Sequence, residues 1–96
     1  MARPMPLEDD TWQEDALDWI ETKALAGREF SADDLAVEFR PPPHPNSVGP
    51  IFHIAYRRGW IEPVGYRAST HKTRRGGALR IWQGTPQYVR RQKVAA

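Results

Sequence analysis

Residues 40–45 read RPPPHP, four prolines in six positions, and no regular element can cross them. Proline has no N–H to donate, its ring clashes with the carbonyl one turn back, and it biases the preceding residue towards extended backbone. The stretch therefore ends any helix before it, and it divides the chain into two halves of different chemistry. Of the twelve acidic residues, eleven lie between Met1 and Phe39, against Arg3, Lys23 and Arg28, a net charge of −8. From Arg40 to Ala96 a lone Glu62 faces eleven Lys/Arg, a net charge of +10. A gradient this steep, with its basic residues bunched, implies an anionic partner for the C-terminal half. Eleven of the fourteen cations are arginine, whose planar fork matches phosphate and guanine edges.

With 96 residues the chain makes one domain at most, with a thin core that needs most of its large apolar side chains inside. Four Trp, three Tyr and three Phe supply much of that area. The absence of cysteine excludes a disulfide framework and thiolate metal sites. The apolar runs are too short to span a bilayer. MARPMPLEDD lacks an apolar signal core, so the expected compartment is the cytoplasm.

Residues 1–10 read as a flexible lead. TWQE then offers a capping box, Thr11 as N-cap with Glu14 three residues on. Trp12, Ala16, Leu17, Trp19, Ile20 and Ala24 share one face of a helix over about 12–26, opposite Glu14, Asp15, Asp18 and Glu21. Gly27 ends it. FSADDLAVEF starts a second helix, about 32–39, with Ser31 as cap, Asp34 at its third position and Phe30 placed to staple onto Leu35. A third helix is expected to take Asn46 or Ser47 as its cap and to hold Pro50 in its first turn, where a missing N–H does little harm. Val48, Ile51, Phe52 and Ala55, with Tyr56 at the margin, form its inward stripe. RRG stops it, cations in the last turn and Gly59 past it.

WIEPVGY, 60–66, is rich in aromatic and β-branched residues, and Pro63 confines it to an edge or a bulge. ALRIW, 78–82, alternates Leu79 and Ile81 against Arg80 and Trp82. Two short strands around a loop form a hairpin that is stable only when packed on the helices. Residues 84–96 read either as a basic arm or as a short fourth helix capped by Thr85 and opened by Pro86. The expected core is Trp12, Trp19, Ile20, Leu35, Phe39, Ile51, Phe52, Ala55, Ile61 and Ile81.

Enzymatic chemistry finds no foothold. His44, His53 and His71 fall on three different elements without metal-ligand spacing. The pairs Asp9-Asp10 and Asp33-Asp34 sit where helix starts favour acids. Ser47 and Ser69 have no His–Asp partners, and RRGG is too short to cradle a nucleotide. The expectation is a binder that uses no cofactor and no metal. YRASTHKTRRGGALRIW, Tyr66 to Trp82, points the same way: it holds five Lys/Arg, one His and no carboxylate.

The order helix, helix, helix, strand, basic loop, strand resembles the winged helix-turn-helix family. The resemblance is carried by the third helix running into RRGWIEPVGYR and by the basic loop that follows, and it covers about 11–83. In style the chain also looks like small phage or mobile-element proteins of high-GC bacteria. One difference is the link between helices two and three, where RPPPHPN replaces the family's tight turn. The resemblance implies an α+β winged helix of three helices and a two-stranded hairpin. Its third helix would enter the major groove and its wing would lie on backbone or minor groove. The DNA-contacting residues would then be Asn46, Ser47, His53, Arg57 and Arg58 from the third helix region, and Arg67, His71, Lys72, Arg74, Arg75 and Arg80 from the wing. Gly76 and Gly77 would let the loop approach a phosphate closely.

The expected function is double-stranded DNA binding, as a transcriptional or replication accessory factor. The alternative is a winged-helix adaptor that meets a host or phage protein through the acidic face of helix one. RNA is the weaker expectation, because the aromatic side chains read as core and not as an exposed stacking sheet. Sequence leaves the oligomeric state open, a dimer included.

Overall fold

WQEDALDWIETKAL coils as α1, Trp12–Leu25, in the computed structural model, which describes residues 11–68 and 78–95. The expected capping box at its start does not form. Thr11 has helical backbone angles (φ −97°, ψ −2°) and makes no side-chain cap bond, whereas a capping residue needs extended geometry to aim its hydroxyl at the first turn. Its hydroxyl instead accepts from Arg40 Nη2 at 3.2 Å. The helix stops at Gly27 (φ +74°), with Gly27 N–H donating to Ala24 and Arg28 N–H to Lys23, a paired Schellman closure.

The second box is present. Ser31 caps α2, Ala32–Glu38: its N–H donates to Asp34 Oδ2 at 2.9 Å, and Asp34 N–H donates back to Ser31 Oγ. Phe30 and Leu35 are both buried in the core, at the two ends of the expected staple. Arg40 then clamps the proline-rich link to the start of α1. Its guanidinium meets Asp15 at 2.7 Å, and its carbonyl accepts from the Trp12 indole at 3.0 Å. Glu38 ties the end of α2 to the middle of α1 by bonding Lys23 and the Trp19 indole.

A 3-10 turn, Pro45–Ser47, leads into α3, Val48–Arg57. Neither Asn46 nor Ser47 caps α3 through its side chain. The turn is capped one step earlier by His44 Nδ1, which accepts from Asn46 N–H at 3.1 Å. Helix α3 ends as expected, in a second Schellman closure at Gly59 (φ +79°), where Gly59 N–H donates to Tyr56 and Trp60 N–H to Ala55.

Strands β1, Ile61–Ala68, and β2, Ala78–Gly84, pair antiparallel, with a register shift between Pro63 and Gly65 that makes the bulge Pro63 demands. Pro63 lies opposite Trp82, whose own N–H and C=O turn away from β1 to exchange 2.8 and 3.0 Å bonds with Phe30. A missing proline N–H therefore costs the ladder nothing. Phe30 acts as a one-residue strand on the far edge of β2 and joins the helices to the hairpin.

The open alternative for the C-terminus resolves as a helix, α4, Pro86–Ala95. Buried Thr85 accepts from Tyr88 N–H and donates to Gly59 C=O at 2.7 Å, so one hydroxyl joins the start of α4 to the end of α3. The architecture is α+β, with four α-helices and a two-stranded antiparallel hairpin among the described residues. α1 contacts α3, β2 and α4. Eight of the ten expected core residues are buried, while Trp19 and Phe39 are partly buried against the same cluster. Phe30, Leu79 and Trp82 join the buried set.

Candidate nucleic-acid interface

Of the described members of the expected interface, His53 of α3 and Arg80 of the hairpin line one cavity, whereas Arg58 lines a separate crevice beside α4 and Arg67 turns to α2. His53, Arg57 and Arg58 are exposed, one face away from buried Ile51, Phe52 and Ala55. Their positions follow from the 3.6-residue repeat, since the inward stripe leaves 53 and 57 one turn apart on the outer side. Arg58 lies with its guanidinium 5.1 Å from the Trp60 ring. Asn46 and Ser47 belong to the 3-10 turn before α3 and stand at its entry. His71, Lys72, Arg74 and Arg75 lie outside the described residues, as do Gly76, Gly77 and the lead 1–10.

Two hairpin arginines have partners within the fold. Arg67 Nη2 donates to Ser31 Oγ at 3.0 Å and lies 3.5 Å from Asp34 Oδ2, so it engages the capping box of α2. Arg80 spreads between Tyr66 and Trp82, 5.5 Å from each ring, and donates to the Tyr66 hydroxyl at 3.1 Å.

Between α3 and the hairpin opens a cavity of about 490 Å³, within the usual range for small-molecule pockets. Val48, Gly49, Phe52, His53 and Tyr56 of α3 form one wall; Tyr66, Leu79, Arg80 and Trp82 form the other; Ala32 closes one side. The expectation that the aromatic side chains all belong to the core needs correction here. Tyr56 is 48% and Tyr66 63% exposed, and both line the cavity. A row of rings backs it, from Phe30 through Phe52 to Trp82 and Tyr56, with neighbouring centroids about 6 Å apart. Tyr56 stands at the margin of the α3 stripe and Tyr66 on the outer stretch of β1, so periodicity alone gave only a weak sign of either.

A second, smaller crevice of about 210 Å³ lies where α3 ends and α4 begins, lined by Arg58, Gly59, Gln87, Tyr88 and Arg91. Gln87 and Arg91 are one turn apart on α4, a spacing visible in PQYVRRQK only once that segment is taken as helical.

The acidic face of α1 is less free than its sequence suggests. Asp15 pairs with Arg40 while its side chain stays 45% exposed, Glu21 accepts from the Tyr88 hydroxyl, and Glu14 and Asp18 are exposed. Among the described residues no group of three or more His, Asp or Glu side chains is arranged to hold a metal ion, and no helix is long and apolar enough to cross a membrane. No family model, curated protein or solved structure matches the chain.

Proposed function

We propose that the chain is a small winged-helix protein of the cytoplasm that binds double-stranded DNA. In this proposal α3 is the groove-entering helix and the hairpin is the wing. The observation that carries it is a succession: α3, with His53, Arg57 and Arg58 exposed, turns at Gly59 directly into an antiparallel hairpin whose connecting residues hold His71, Lys72, Arg74 and Arg75. The Phe30–Trp82 bridge supports the same architecture, because it fixes the hairpin beside the start of α2. Lys72, Arg74 and Arg75 supply phosphate contacts, which give affinity without sequence preference. His53 and Arg57, one turn apart, are the candidates for base edges. The cellular role that fits is a transcriptional or replication accessory factor, carried by a phage or mobile element. The adaptor alternative has Glu14 and Asp18 as exposed acids on α1 and the half-exposed Asp15, but Asp15 and Glu21 would have to leave Arg40 and Tyr88 to take part in full.

Anisotropy titrations of labelled duplex at several salt concentrations test the proposal. If Arg67, Lys72, Arg74, Arg75 and one of Arg57 or Arg58 each neutralise a phosphate, the slope of log K against log salt is roughly −4 to −5. The Arg74→Ala/Arg75→Ala double variant is expected to flatten that slope by about two and to weaken all sequences alike. Arg57→Ala is expected to cost about 1–3 kcal/mol on a preferred site and much less elsewhere. Absence of duplex binding at low salt, or wild-type binding by the double variant, refutes it.

A further inference from the structure

We propose that the cavity between α3 and the hairpin receives an unpaired nucleobase, so that the protein prefers DNA with a displaced base over continuous duplex. The inference rests on the DNA-binding reading and names a ligand for the same face. Its basis is the chemistry of the walls. Tyr56 of α3 and Tyr66 of β1 are exposed and line the cavity from its two walls, and the Trp82 ring lies 5.8 Å from that of Tyr56. Arg80 lies against Tyr66 and Trp82, held there by the Tyr66 hydroxyl, and its planar guanidinium adds a cationic surface to the same wall. Among the described residues the basic side chains lining the cavity are His53 and Arg80, and no carboxylate lines it. An aromatic-lined cavity with basic side chains among its walls suits a planar base carried on a phosphate strand, and no acid along its wall repels that strand.

Gly49 adds room. It lines the cavity, and a Cβ built there meets nothing within 4 Å, so the first turn of α3 leaves space where a side chain would otherwise stand. Buried Phe52 and Leu79 give the slot an apolar floor, and the exposed tyrosines give it edges that can close on a ring from two sides. Extracting a paired base from a stack costs several kcal/mol, and an already unpaired base costs least. The preference should therefore appear as discrimination between two DNA shapes and not between two sequences.

The test compares a labelled duplex with the same duplex carrying one unpaired thymine, at one salt concentration, for wild type, Tyr66→Ala and Tyr66→Trp. Wild type is expected to bind the bulged DNA roughly tenfold more tightly, the worth of stacking one base on an aromatic ring. Tyr66→Ala should bring the ratio of the two affinities close to one, and Tyr66→Trp should keep it, which separates ring stacking from the hydroxyl. Gly49→Leu, which fills the slot from the helix side, should also bring the ratio close to one. Equal affinities in the wild type, or a preference that survives Tyr66→Ala, overturns the inference while leaving duplex binding intact. Failure to bind either DNA removes both readings. Displacement of the bulged DNA by a tyrosine-rich acidic peptide at lower concentration than by thymidine monophosphate assigns the cavity to a protein and also overturns it.

Discussion

Tyr88 is expected to make the protein sensitive to alkali. It is 8% exposed, its ring stacks on Trp60 with centroids 5.6 Å apart, and its hydroxyl donates to Glu21. Burial first, and the Glu21 carboxylate second, push its pKa up to about 12 from the usual 10. The folded state thus holds the proton more tightly than the unfolded chain does. The resulting stability is fully present below pH 10 and is lost as the pH rises from about 10 towards 12. Two pKa units correspond to roughly 2–3 kcal/mol, a substantial part of the stability of a domain this size.

Tyr88→Phe keeps the ring and removes the proton. Urea unfolding followed by tryptophan fluorescence, in which Trp60 reports on this contact, should show the variant less stable by about 1–3 kcal/mol at pH 8. The gap should narrow steadily above pH 10, because only the wild type has a hydroxyl to lose. Difference absorbance between wild type and Tyr88→Phe isolates the titration of this one phenol. Ionisation near 10, or a stability gap that stays constant from pH 8 to 11, refutes the latch between α1 and α4.

Three further perturbations follow from the packing. Gly84→Ala should lower thermal stability by at least about 1–3 kcal/mol, since the new Cβ would run into the Ala24 carbonyl and stand 2.9 Å from its Cα; calorimetry reads the shift. Phe52→Ala, at the centre of the ring row, should cost about 3–5 kcal/mol in urea melts with the secondary structure retained. Glu38, held below the ordinary carboxylate range chiefly by its bond to Lys23, contributes stability above that range that is lost on acidification; in Lys23→Ala its NMR titration should move up.

Local chemistry was the legible part of the sequence. The Ser31–Asp34 box, the Gly27 and Gly59 stops and the Pro63 bulge each depend on residues within a few positions of one another, and each is present. The box at Thr11 read equally well and is absent, because Thr11 takes helical backbone angles that do not aim its hydroxyl at the first turn, and that hydroxyl accepts from Arg40, remote in sequence. Phe30 illustrates a different limit. A one-residue strand has no period to detect, yet its two bonds to Trp82 make β2 the middle of three extended pieces. That also explains Trp82, which alternation grouped with exposed Arg80 and which is buried against Phe52. The candidate interface was legible as a set of cations on α3 and the hairpin. The cavity between them was not, because it is made by the angle at which two remote elements meet.

That same long-range pairing changes how the charge gradient is to be counted. Arg40 and Arg67 both belong to the basic half, and both bind carboxylates of the acidic half, Asp15 and Asp34. They join the proline-rich link and the hairpin to the first two helices, and while so engaged they do not serve an outside anion. The Arg67–Asp34 contact is long, 3.5 Å, with side chains 52% and 36% exposed, and is worth under about 1 kcal/mol, so a phosphate that takes Arg67 has chiefly its 3.0 Å bond to Ser31 Oγ to replace. If the chain binds DNA as proposed, a phosphate should draw Arg67 off the capping box. The prediction is that Arg67→Ala leaves urea stability within about 1 kcal/mol of wild type but makes the salt slope shallower by about one. If Arg67 instead stays on the capping box in the complex, the slope is unchanged and the phosphate count falls to Lys72, Arg74, Arg75 and one of Arg57 or Arg58. A large loss of stability with no change in slope would make Arg67 a structural brace for α2 and remove it from the interface.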